Sequence, residues 1–398
     1  MQELQILCYN TVHYGTSRIF MYLKRIAEER VLRYLNLFPV LGLTGPRQSG
    51  KSTLLRHLLP GYRYVTFDDF QLVEFFNHDP KAFLNQYDND VIFDEVQLVP
   101  ELFSYIKIAV DNDRERYGKY ILTGSSQFSY LKKASESLAG RIGLMSLLPL
   151  QYKELPQELR QQAIFSGSYP ELVVRHYKES SVWYASYLET YLNKDVSAIT
   201  HIGDMRDFRR FIQLLAARTG QLFDQTYFSK DLGVSVPTIK RWISVLEASY
   251  IVFLLPSYHT NFGKRLIKTP KIYFYDTGLV SYLTGIETQE LYEKGPMAGA
   301  LFENYIVSEV LKKIKHEDSH NEIFYLRTGD KAEIDLIVDK KISQDFIEIK
   351  KSATFNFKMA STLKQYCSDT IQGYVLYNGE RLSYQPNIEI MPFEDYLL

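Results

Sequence analysis

Nine consecutive residues, Gly45, Pro46, Arg47, Gln48, Ser49, Gly50, Lys51, Ser52 and Thr53, have the types and spacing needed to hold a phosphate. Glycines at positions 45 and 50 let the backbone curl so that its N–H groups converge on phosphate oxygens, and a helix starting near Lys51 adds the positive end of its dipole. Lys51 is expected to reach the β and γ phosphates, and the Ser52 hydroxyl to coordinate magnesium. The pattern GxxxxGKS is complete and lies between an apolar strand, Val40 to Leu43, and a helical stretch, Thr53 to Leu59. That context weighs against a chance glycine turn.

Further along, VIFDE sets Asp94 and Glu95 at the end of an apolar strand. Beside a phosphate loop, the first acid is expected to hold the magnesium shell and the second to orient an attacking water. The bland reading is an acidic strand end that caps the next helix. YILTGSSQ, a third such strand, can bring Ser125 or Ser126 toward the γ phosphate, or it can be an ordinary turn. Arg141, in SLAGRIG, is either a cation for the transition state, in cis or from a neighbouring subunit, or a surface arginine.

A second constellation lies near the C-terminus: Glu303 in a helical stretch, Asp335 in EIDLIV, and Glu348 with Lys350 in IEIK. Carboxylates on adjacent strands with a lysine two residues after the second fit metal-dependent phosphodiester cleavage, the acids holding magnesium and the lysine stabilising charge at the attacking water. Alternating charge on an exposed strand gives the same ExK spelling.

The elements that must position these groups alternate as in a parallel α/β sheet up to about Pro149, with strands at Tyr62 to Phe67, Val91 to Phe93 and Tyr120 to Thr123. Residues 150–200 read as a helical lid. Residues 201–270 have three helices and then an apolar strand, the order of a winged helix, with Gly233 at the turn and Lys240 and Arg241 on the exposed face. Asp204 to Lys268 holds ten basic and five acidic residues, so this segment either contacts DNA or packs against the first domain. Residues 271–294 read as a linker and 295–398 as a separate α/β terminus, while residues 1–20 precede the first helical pattern as an extension.

At 398 residues the chain exceeds a single core of about 100 to 150 residues, so several domains are expected. A net charge of −1 gives no global case for nucleic acid. Two cysteines, Cys8 and Cys367, supply neither a disulfide framework nor a zinc site and fit a reducing cytoplasm. No apolar run approaches the ~18 residues of a membrane span, so no membrane partner is expected.

Taken together, LTGPRQSGKSTLL, VIFDEVQ, ILTGSSQ, SLAGRI, YLETYLNKDV, KIYFYDTGL, GALFENYIVSEV and EID followed by EIK resemble a prokaryotic family of AAA-type ATP-binding proteins. Its C-terminal domain of unknown function is related to the PD-(D/E)xK nucleases. The match runs from Met21 to the end. It implies an AAA-type ATPase core with a helical lid, a winged-helix middle domain and a restriction-endonuclease-like terminus, with ATP and magnesium as ligands and Ser125 at a sensor position. Adenine over guanine rests on this resemblance, since no NKxD motif is present. The output implied is either control of DNA-associated domains or a switch that binds protein partners or further copies of itself, with the nuclease-like domain inactive.

Overall fold

Val40–Thr44 (VLGLT) is buried along its whole length, as a strand covered on both faces must be. It is β1 of the computed structural model, which describes residues 22–124, 137–192, 205–258, 268–329 and 332–398. β2 (Arg63–Thr66), β3 (Val91–Asp94), β4 (Tyr120–Gly124) and β5 (Ile142–Ser146) join it in a parallel sheet of order β2-β3-β4-β1-β5. Successive side chains go to opposite faces. Val40, Val91, Phe93, Tyr120 and Leu122 enter one core, closed by Phe103, Ile106 and Val110 of the Leu102–Asp111 helix. Leu41, Leu43, Ile92 and Ile121 enter the other, closed by the Ala27–Leu35 and Lys51–Leu58 helices. Because all five strands run the same way, the segments after β1, β3 and β4 meet at one rim, where open α/β sheets bind ligands.

Beyond the sheet, residues from Leu148 to Leu397 share one continuous core. The Ser180–Tyr191 helix contributes Trp183, Tyr184, Tyr187, Leu188 and Tyr191 to it, so residues 150–192 of the expected lid (150–200) pack into this larger body, and the rest of it lies outside the described residues. Next come the Met205–Ala217, Gln225–Leu232 and Val236–Ala248 helices. Asp224 and Ser235 cap the second and third by accepting from the N–H groups of Thr226 and Thr238, and Gly233 makes the turn between them at φ 69°. β6 (Val252–Leu255) pairs antiparallel with β7 (Lys271–Phe274).

β7 corrects the expectation of a linker over residues 271–294. KIYF completes a hairpin and leads into the Thr277–Thr284 helix, whose N-cap Asp276 is buried and accepts from the Leu279 and Ser168 N–H groups and the Tyr184 hydroxyl. The long Ala298–His316 helix follows, then β8 (Glu322–Arg327), β9 (Glu333–Asp339), β10 (Gln344–Lys350), β11 (Ile371–Tyr377), β12 (Leu382–Gln385) and β13 (Ile388–Pro392), in the order β12-β13-β11-β10-β9-β8. β9 and β10 are antiparallel with Leu336 opposite Ile347, so Asp335 and Glu348 come next along the ladder. No helix among the described residues is long and apolar enough to cross a membrane.

Candidate functional site

Gly45 opens the loop after β1 at φ 147°, and a Cβ there would stand 2.1 Å from the Leu147 carbonyl oxygen. Only glycine fits. Gln48 and Gly50 also have positive φ, 60° and 92°, which winds the loop back before the Lys51–Leu58 helix begins. Lys51 Nζ donates to the carbonyls of Gly45 at 2.8 Å and Pro46 at 2.9 Å, which sets the ammonium within the curl. Pro46 and Ser49 are buried, Arg47 is half-buried, and Gln48 and Thr53 are exposed. The buried Ser49 hydroxyl has no hydrogen-bond partner among the described residues. A cation, a helix N-terminus and a spare buried hydroxyl in one cradle fit a phosphate chain.

Asp94, at the carboxyl end of β3, accepts from Ser52 Oγ at 2.9 Å and from the hydroxyls of Tyr64 and Thr123. These come from the helix after the loop, from β2 and from β4. Burial alone would raise the Asp94 carboxyl, but the three hydroxyls and Lys51 outweigh it and hold the group below the ordinary carboxylate range. An ionised carboxylate beside Ser52, facing the lysine, suits a magnesium ion bound to a nucleotide. The motif pointed to Ser52 and Asp94. Tyr64 and Thr123 were not singled out, and their only sequence signal is position at a strand end.

Glu95 sits in the left-handed region at φ 56°, ψ 41°, unusual for a side chain of this type. Its carboxylate accepts from Gln97, and burial, then the Asp94 charge, push it above the ordinary range, with Lys51 and Arg47 opposing. Ser125 and Ser126 lie outside the described residues; the strand that leads to them, β4, lies between β1 and β3.

Arg141 departs from the expectation. It precedes β5, whose first residue Ile142 pairs with Val40, so it lies at the opposite end of the sheet from the loop, about 15 Å away at ~3.3 Å per residue. There its guanidinium holds Asp111 with two bonds, 2.7 and 3.0 Å. The structure does not bring it to the loop of its own chain.

Two links tie the loop to the rest of the molecule. Thr44, the last residue of β1, has its hydroxyl 2.6 Å from that of Tyr250, a buried residue that follows the Val236–Ala248 helix. Arg25 donates to the Ser49 carbonyl at 2.8 Å and the Leu148 carbonyl at 2.7 Å, and pairs with Glu154 at 3.1 Å. The Leu148 N–H donates at 3.0 Å to Nε2 of His316, the last residue of the Ala298–His316 helix.

At the C-terminal sheet, Lys350 Nζ is 2.9 Å from both Asp335 Oδ2 and Glu348 Oε2, and the Ile349 N–H donates to Asp335 at 2.8 Å. Burial, and then Asp335, push Glu348 up to about 8. Glu303 is held instead by Lys271 of β7 at 3.1 Å and by the Tyr273 hydroxyl at 2.6 Å. Lys271 also meets Glu333 at 2.7 Å. The expected residues therefore cluster, but each carboxylate faces an ammonium, and no three of the described acids, histidines or cysteines are arranged to hold a metal. Asp335 and Glu348 share Lys350, while Glu303 stands on Lys271.

Residues 37–156 match the AAA domain, residues 157–290 a domain of unknown function (DUF8612), and residues 298–396 another domain of unknown function (DUF4143). The uncharacterized proteins Rv2008c of Mycobacterium tuberculosis and Mb2031c of Mycobacterium bovis are each 31% identical over 343 residues, which is 85% of this chain and 77% of the relative. The Walker-type ATPase of Pyrococcus abyssi superposes at 14% identity and a TM-score of 0.45, over 65% of this chain and 94% of that one.

Proposed function

This chain belongs to the family of the two mycobacterial proteins and carries an AAA domain, and from that premise we propose that it binds ATP with magnesium at the loop after β1 and hydrolyses it. The observation that carries this reading is the convergence of Ser52, Tyr64 and Thr123 on an ionised Asp94 beside Lys51. The loop N–H groups and Lys51 bind the phosphates. Ser52 and Asp94 would hold magnesium, which neutralises charge on the phosphate oxygens. Glu95, raised above its usual range and one residue past Asp94, orients a water and takes its proton. No arginine of this chain is assigned to the γ phosphate, since Arg141 is held by Asp111.

The nucleotide state then reaches the remaining domains through Thr44 with Tyr250 and through Arg25 with Leu148 and His316. The output we favour is DNA binding by the Val236–Ala248 helix, where Lys240 and Arg241 are exposed. One observation supports the other output, a switch for protein partners: each acid of the C-terminal cluster is paired with a lysine of the same chain.

Lys51→Ala is expected to abolish binding of a fluorescent ATP analogue. Glu95→Gln should keep it and lower turnover about 10²- to 10⁴-fold. Equal turnover in wild type and Glu95→Gln would remove Glu95 from the chemistry, and unchanged binding in Lys51→Ala would sink the nucleotide reading. DNA affinity that falls steeply between about 50 and 200 mM salt supports the first output, and no binding at the lower salt supports the second.

A further inference from the structure

We propose that the Lys271 ammonium occupies the cation position of the C-terminal acid cluster, making the cluster a metal-free clasp between the β6-β7 hairpin and the C-terminal sheet, which takes a divalent ion only when Lys271 is removed. Lys271 is 3% exposed and lies within 3.1 Å of Glu303 Oε1 and 2.7 Å of Glu333 Oε1. Both carboxylates are partly buried, so a counter-charge stabilises them, and here a buried ammonium supplies what a metal would otherwise supply. On the far side Lys350 does the same for Asp335 and Glu348, and Arg327 reaches Glu333 at 3.5 Å. Four acids thus meet three cations with no ion from solution.

The lysine is also not free to swing aside. Its backbone is fixed from two directions, by Leu255 across the hairpin and by a bridge to Leu222. The neighbouring Ile272 N–H donates to Gln221 at 2.9 Å, and its carbonyl accepts from Gly220 at 2.8 Å. This turn covers the acid as well: Gly220 has φ 77°, and a Cβ there would lie 3.4 Å from Glu303 Oε1. Tyr273 closes Glu303 from the hairpin side. A phosphodiester approaching Glu303 would meet the turn and two hairpin side chains. The charge that fills the cluster and the wall that covers it both come from the middle of the chain.

The test is Mn2+ binding to the full nucleotide-free protein, read from the electron paramagnetic resonance of free Mn2+. Wild type should bind no Mn2+ whose affinity depends on Asp335 or Glu303. Lys271→Met should gain about one equivalent, which the added substitution Glu303→Gln removes. Wild-type Mn2+ binding weakened tenfold or more by Asp335→Asn would overturn the proposal, as would a folded Lys271→Met that gains no site. Should Lys271→Met fail to fold, Lys271→Gln replaces it. The melting temperature gives a second readout: any rise that millimolar Mn2+ causes in wild type should persist in Asp335→Asn, whereas a rise that Asp335→Asn abolishes refutes the clasp. None of these readouts depends on ATP binding, so the two proposals stand or fall separately.

Discussion

Asp94 shows how a carboxylate buried at a strand end stays ionised. Each hydroxyl that donates to it favours the charged form, and Tyr64 donates from β2, the strand that pairs with β3. Tyr64→Phe deletes one donor and leaves ring packing in place, including the Arg56 guanidinium 3.8 Å above the ring. The expected result is retained nucleotide binding, turnover lowered about tenfold (~1.4 kcal/mol) and a higher magnesium concentration for half-maximal rate. Unchanged magnesium dependence in steady-state ATPase assays would remove Tyr64 from the site. Lys51, Ser52, Asp94 and Glu95 were legible in the sequence because a phosphate loop and an acidic strand end are local patterns. Tyr64, Thr123 and Lys271 were not, because their partners are fixed by strand order and by hairpin pairing, which no local pattern states. The place of Arg141 was not legible for the same reason: its spacing in sequence says nothing about which end of the sheet it occupies.

At the scale of elements, the β1 loop depends on one backbone conformation. Gly45→Ala places a methyl 2.1 Å from the Leu147 carbonyl at a φ that side chains avoid. Relief requires β1 and the segment after β5 to separate, and the Leu147 N–H bond to the Thr44 carbonyl, 2.8 Å, is the contact that would break. The substitution is expected to cost roughly 2 to 4 kcal/mol and to abolish nucleotide binding, measured by chemical unfolding and by analogue titration. A variant with wild-type affinity would show that the loop adapts. Four strands of the first sheet, β1 to β4, could be read from their apolar runs, whereas β5 was not, and the alternation of Leu41 and Leu43 against Val40 follows from period two. The order that inserts β4 between β1 and β3 could not, and neither could β7, a strand too short to stand out from a linker.

At the scale of the whole molecule, one core draws residues from Leu148 to Leu397, beside a second cluster in the C-terminal sheet, and both tryptophans of the chain, Trp183 and Trp242, lie in the first. Tryptophan emission therefore reports that core. His316 is buried within its margin, and burial, then Arg25, Lys312 and Arg30, hold its imidazole well below the usual range. An unfolded chain takes up this proton near pH 6.5 while the native chain does not, so the unfolded state binds more protons below that pH. This group makes stability fall as the pH drops below about 6.5, by up to about 1.4 kcal/mol per unit until the native imidazole itself protonates, while Glu348, raised to about 8, contributes a slope of the opposite sign up to that pH. Urea unfolding followed by tryptophan emission at several pH values tests this. As the pH drops below about 6.5, wild type should lose stability relative to His316→Gln by that amount per unit, and an identical pH dependence in both proteins would remove His316 from the acid sensitivity.

The peptide unit of Leu148 has its N–H on His316 and its carbonyl on Arg25, which in turn holds the Ser49 carbonyl in the phosphate loop. Two sites that bias one shared unit are bound by reciprocity: whatever factor ATP imposes on the stability of the terminal helix, that helix imposes on ATP affinity. The last residue of the Ala298–His316 helix thereby becomes an effector position for the nucleotide. The helix is buried along most of its length, so a core substitution that loosens it, rather than any change in the AAA domain, is what this link would carry to the hold on ATP.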